Sequence, residues 1–245
     1  MMIFVIAWRE LRNLFISPLA WCVLAVVQFI HAWMFLASVE AFHGAPGGVV
    51  GVTDQVAAGL FSVASIIMLL VVPLLSMRLL SEERRSGSLT LLLSAPVRLT
   101  ELVLGKYLGL MGFLGLMVAM LTLMPLSLAM GTHLDYGKLA AGVLGLLLLL
   151  GAFAAAGLYM SSLTRQPAVA AVSSFGLLLF LWIINWLGRG DARYSGVLHY
   201  VSLIDHYSAL LRGSFDSTDV AFYLLFILAF LTLCIRHLDS GRLQH

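Results

Sequence analysis

The chain has 245 residues, of which 61% are apolar and only 11% charged, with 14 basic and 12 acidic residues giving a formal net charge of +2. So little charge cannot clothe a soluble globule of this size, and so small a net charge offers no footprint for nucleic acid. The composition is that of an all-α integral membrane protein, with room for about six helices of roughly 20 residues, surrounded by membrane lipid, and no length for a separate soluble domain.

Met2 to Phe15 opens the chain with Phe4, Ala7, Trp8, Leu11 and Leu14 at helical spacing, and with Arg9, Glu10, Arg12 and Asn13 between them. That pattern predicts an amphipathic helix lying in the membrane interface. Pro18 breaks it, because the proline ring forbids continuation of the preceding turn. The apolar run that follows is too long for the core of a signal peptide, so Leu19 to Phe42 is read as an uncleaved first span. Gln28, His31 and Glu40 interrupt it and are expected to face other helices or to lie at its end.

A glycine-rich loop without lysine or arginine leads to a second span, Val56 to Leu80, in which Pro73 predicts a kink. A charged stretch follows, and then a third span, Leu102 to Met130, whose Gly105, Gly109, Gly112 and Gly115 make a flat face suited to close helix contact. The fourth span, Leu139 to Leu163, carries Gly142, Gly145, Gly151 and Gly157 and is expected to be packed on several sides. Ala168 to Leu187 is the fifth span. Within the polar segment Gly188 to Asp219, scattered leucines and valines predict short re-entrant or interfacial helices, and Val220 to Ile235 is a short sixth span. Cys22 and Cys234 both fall in apolar runs and read as small buried hydrophobes.

With the N-terminus in the cytoplasm, ten lysines and arginines fall on the inside and four, Lys138, Arg189, Arg193 and Arg212, on the outside. The positive-inside rule then predicts that both termini are cytoplasmic.

The chain has no metalloprotease His-Glu-x-x-His, no Gly-x-Ser-x-Gly and no paired carboxylates on an apolar helix. No catalytic, cofactor-binding or metal-binding residue is therefore assigned. Gly131 to Lys138 is a turn, since Leu139 stands where a phosphate loop needs Ser or Thr. Ion-driven transport needs titratable groups near the midplane, and His31 is the best that the spans offer. Energy for any transport must come from another chain. The charged stretch is either a solvated, positive-inside linker or the docking place of that chain, since Ser86 to Ser94 can form a short helix stopped before Pro96 and bearing exposed leucines.

Ser-Glu-Glu-Arg-Arg-Ser-Gly-Ser-Leu-Thr-Leu-Leu-Leu-Ser-Ala-Pro-Val (81–97), followed by Gly105-Lys-Tyr, resembles the first cytoplasmic loop of the type-2 ABC exporter permeases. Residues 199–220 are similar to the subgroup typified by the gliding-motility permease, with a serine, an aromatic cluster and an Arg-Gly before the last helix. This resemblance implies six transmembrane helices with an N-terminal elbow helix and a cytoplasmic coupling helix, within the bacterial inner membrane. It implies a second copy of the permease and two copies of an ABC ATPase, on which ATP and magnesium would bind. Glu82, Glu83, Arg84, Arg85, Ser88, Leu89, Leu91, Leu92 and Leu93 would make the ATPase-coupling loop. His199, Asp205, His206, Tyr207 and Arg212 would contact a companion membrane protein with a domain on the far side. The alternative is a membrane anchor or assembly module that uses the same loop and transports nothing.

Overall fold

A computed structural model of the chain describes residues 2–44, 51, 53–87, 98–130, 133–188, 202–214 and 216–242, and among them all regular structure is helical. Helix α1 (Met2–Ile16) and α2 (Pro18–Gly44) meet at Ser17; a π turn (Thr53–Ala57) leads into α3 (Ala58–Ser76) and α4 (Arg78–Ser86). Then come α5 (Leu99–Ser127), α6 (Tyr136–Leu163), α7 (Pro167–Gly188), α8 (Leu203–Leu211) and α9 (Ser217–Arg242).

Among the described residues, six segments are long and apolar enough to cross a bilayer: 18–42, 55–86, 99–127, 136–163, 167–184 and 217–240. Two boundaries differ instructively from the sequence expectation. The second segment does not end at Leu80 but stays helical to Ser86. Its 32 residues measure about 48 Å at 1.5 Å per residue, against a hydrocarbon core of about 30 Å. The charged end therefore projects from the apolar layer as a helical stem. Gly87, at φ 75°, adopts the left-handed conformation that ends α4. The sixth spanning helix likewise runs past Ile235 to Arg242, since no proline interrupts Arg236–Arg242.

Pro73 lies inside α3 without ending it, and the joint comes at Met77, whose amide still donates to the Pro73 carbonyl at 2.9 Å. Asp135 starts α6 by accepting from the amides of Gly137 and Lys138. A short helix does occupy part of the polar segment, as α8, and it packs by Leu203 and Leu210.

The core is organised around α6, which touches α3, α4, α5, α7, α8 and α9. Its small residues explain why one helix can serve so many neighbours. A Cβ at Gly142 would meet the Phe61 ring of α3 at 2.9 Å, and one at Gly151 the Tyr107 hydroxyl of α5 at 2.9 Å. On α5, Gly105 and Gly109 serve α1 instead of another span, since a Cβ there would lie 2.7 Å from Ile6 and from Glu10 Cβ respectively. The elbow helix is thus pressed onto the third span. Phe4, Val5 and Trp8 remain exposed on its other side, as an interfacial helix requires. Cys234 is buried as expected, whereas Cys22 is exposed on α2, where the solvent is lipid.

Candidate functional site

The stem α4 is held from three directions. The first hold is ionic. Lys106, on α5, is 1% exposed, and its Nζ donates to Glu83 Oε1 of α4 at 2.7 Å and to Glu10 Oε2 of α1 at 3.4 Å. Arg9 of α1 stands 3.8 Å from the same Glu83 oxygen. Lys106 is shared by two mostly buried carboxylates, and the half-exposed Arg9 brings the cluster to zero net charge, the condition under which such a group is tolerated in a low-dielectric setting. Glu10 is expected on the polar side of an amphipathic helix, and it is buried instead, because its own position on α1 faces Lys106, while Arg9, Arg12 and Asn13 of that side stay exposed.

The second hold is a hydroxyl. Ser161 of α6 is fully buried, and its Oγ accepts from the amides of Leu80 and Ser81, both at 3.1 Å, while donating to the Met77 carbonyl at 2.8 Å. The side chain of one helix thereby enters the backbone ladder of another at its joint. Ser81 Oγ also donates to the Met77 carbonyl. The third hold is steric: four residues before Ser161, a Cβ on Gly157 would stand 2.8 Å from Ser76 Cβ, so the Ser76 side chain at the end of α3 lies against the Gly157 backbone of α6.

Beside the stem a cavity of about 300 Å³ is lined by Glu10, Asn13, Arg78, Glu82, Glu83 and Lys106 among others. Of the sequence-derived coupling residues, Glu83 and Arg84 are half-buried, and Glu82 and Arg85 are exposed. All four lie within α4 and so belong to the stem, not to a separate helix in the loop. Ser88, Leu89, Leu91, Leu92 and Leu93 lie outside the described residues, as does the expected short helix between Ser86 and Ser94 beyond its first two residues.

At the opposite end, the expected partner contacts divide. Arg212 is exposed and Asp205 half-buried, whereas His206 and Tyr207 are buried. His206 Nδ1 lies 2.6 Å from Asp219 Oδ1, and its ring stacks on Phe222 at 4.1 Å. The Tyr207 hydroxyl donates to the Phe61 carbonyl at 2.9 Å, and burial pushes its pKa up. These two side chains brace α8 against α9 and α3, so a partner cannot reach them there. His199 lies outside the described residues.

Sequence reasoning assigned no role to Lys106, Glu10 or Ser161. The available signal was a lysine one helical turn or two inside an apolar span, directly after Gly105, which calls for a buried carboxylate partner. Among the described residues no group of His, Cys, Asp and Glu is arranged to hold a metal ion. A family model described as "ABC-2 family transporter protein" matches residues 4–239. No curated protein matches the chain.

Proposed function

The chain belongs to the ABC-2 transporter family, and on that premise we propose that it is the permease subunit of an exporter in which a separate ATPase drives the spans through α4 and the segment that follows it. The observation that supports this is the stem itself. It continues the second span beyond the hydrocarbon and is tied to α1, α5 and α6 by contacts that a push would have to carry along or break. A loop would absorb such a push by bending; a clamped helix passes it on.

In this reading the stem and both termini are cytoplasmic, in a bacterial inner membrane. Two copies of the chain work with two copies of the ATPase, which carries ATP and magnesium. Leu89, Leu91, Leu92 and Leu93 are the apolar contacts to that ATPase, and Glu83 with Lys106 transmits its movement. The similarity of residues 199–220 to the gliding-motility subgroup supports a companion protein on the far side, with Arg212 and Asp205 as its accessible contacts.

The test is reconstitution with the ABC ATPase expected in a neighbouring reading frame, measuring stimulation of ATP hydrolysis for wild type, Glu83→Gln and Leu92→Ala. Loss of stimulation in complexes that still assemble is expected. Unchanged stimulation in intact complexes would reject the lever and favour the membrane anchor.

A further inference from the structure

We propose that the groove between α4 and the start of α7 holds the headgroup of an anionic phospholipid, with one acyl chain lying along α7. The groove has a volume of about 1010 Å³, at the upper end of the range of small-molecule sites. Arg78, Arg84, Arg85 and Arg165 line it, with Glu82 as its one acidic residue. None of these four arginines has a carboxylate partner among the described residues. The groove therefore carries a surplus of three positive charges where the spans end, which is where phosphate groups of a bilayer lie. Guanidinium forks suit phosphate oxygens bidentately.

The apolar part of the groove is what selects a lipid over a free anion. Leu74, Ala168, Ala171 and Val172 share its wall with the arginines. From there Val169, Val172, Gly176, Phe180 and Ile183 follow at intervals of three and four residues, so they form one face of α7, and all five are exposed. An added Cβ at Gly176 meets nothing within 4 Å, which leaves a shallow track at that level. Val172 to Ile183 spans about 16 Å of helix, close to half the roughly 30 Å of a hydrocarbon core, that is, one leaflet. A cationic head site continuous with an apolar track one leaflet long matches the division of a phospholipid into head and tail. A soluble acidic protein would satisfy the arginines and leave the track unused.

The experiment is native mass spectrometry of the full chain, released from detergent micelles after titration with phosphatidylglycerol, with phosphatidylcholine of the same acyl chains, or with inorganic phosphate. Phosphatidylglycerol is expected to be retained at least tenfold more tightly than either alternative. Arg84→Gln with Arg165→Gln should remove about tenfold or more of that preference, at the usual strength of basic residues near anionic lipid. The matching pair of lysine substitutions should keep most of it. Should the glutamine pair fail to fold, Arg78→Gln with Arg85→Gln, both at exposed positions, tests the same groove. Phe180→Asp should weaken phosphatidylglycerol without affecting phosphate. Equal retention of the two lipids, or phosphate bound as tightly as phosphatidylglycerol, would overturn the proposal. So would glutamine variants that keep the lipid preference while losing a protein partner, since the arginines would then serve that partner.

Discussion

Removing Lys106 tests whether α1, α4 and α5 are joined by one cluster or by independent pairs. Its ammonium group is almost fully buried, and the two carboxylates it serves are 11% and 17% exposed. In Lys106→Gln both carboxylates lose their buried cation, and Arg9, beside Glu83 at 3.8 Å, is half exposed. Breaking a buried pair in this way costs about 3–5 kcal/mol. Glu83→Gln is milder, because Lys106 retains Glu10 at 3.4 Å, and exchanging a charge-assisted bond for a neutral one costs about 1.5–3 kcal/mol. In the double variant the second change removes an interaction already lost, so its cost should fall short of the sum by about 1–3 kcal/mol.

Denaturant unfolding of the full chain in mixed micelles, followed by tryptophan fluorescence, reads these differences. A spin-label distance between α1 and α4 reports whether the stem has moved. Additivity within about 0.5 kcal/mol would refute the cluster. A charge swap sharpens the test. Glu83→Lys with Lys106→Glu restores an isolated pair, but it sets Lys beside Arg9 and Glu beside Glu10, so no rescue is expected. A swap that restores stability would show that the neighbouring charges do not matter.

Ser161→Ala removes a buried hydroxyl with three partners and should cost about 1–3 kcal/mol; hydrogen exchange should rise at Leu80 and Ser81 first, and uniform exchange along α3 and α4 would count against a local pin. Tyr207→Phe deletes the bond to the Phe61 carbonyl and should cost about 1 kcal/mol, with the loss seen in unfolding and α8 loosened from α3; an unchanged midpoint would mean that ring packing alone holds α8. Asp216 caps α9, and bonds from the Thr218 amide and hydroxyl hold its carboxyl below the usual aspartate range. A lowered folded-state pKa gives stability that is present above the ordinary aspartate pKa and lost as pH falls through the lower one. Protection from exchange in the first turn of α9, taken relative to the intrinsic rate at each pH, should therefore fall in acid for wild type and stay flat for Asp216→Asn, and equal profiles would remove the cap from the account.

The spans were legible because apolar runs of 20 or more residues have one physical solution in a bilayer. The crowded role of α6 was legible too, since Gly142, Gly151 and Gly157 cannot all serve a single neighbour. What escaped was pairing at long range. Glu10 and Lys106 are 96 residues apart and Glu83 and Lys106 23 apart, and periodicity assigns a residue to a face without saying what that face meets. The same limit explains Glu10, which shares a polar face with Arg9 and yet is buried. The run Ser81 to Ser86 reads as a charged stretch beyond the span, although it contains no residue that breaks a helix before Gly87. His206 and Tyr207 misled for a related reason: polar residues in a polar segment suggest a surface, and only packing shows that their hydrogen bonds close inward.

The three holds on α4 differ in how they yield, and this determines what kind of movement the stem can transmit. The ionic hold falls off slowly with distance, so a small displacement stretches it without release. The hydrogen bonds of Ser161 are directional and weaken steeply as their angles open. The Gly157 contact with Ser76 permits sliding along the helix axes but leaves no room for closer approach. Axial translation of α4 would break the Ser161 bonds while keeping the Lys106 cluster, whereas tilting α4 away from α5 would do the reverse. Single substitutions at Ser161 and Lys106 should therefore separate the two motions. If the stem acts by tilting, Ser161→Ala abolishes transmission and Lys106→Gln leaves it measurable; if it acts by sliding, the order is inverted. Equal effects of the two would mean that neither hold lies on the path by which α4 moves the spans.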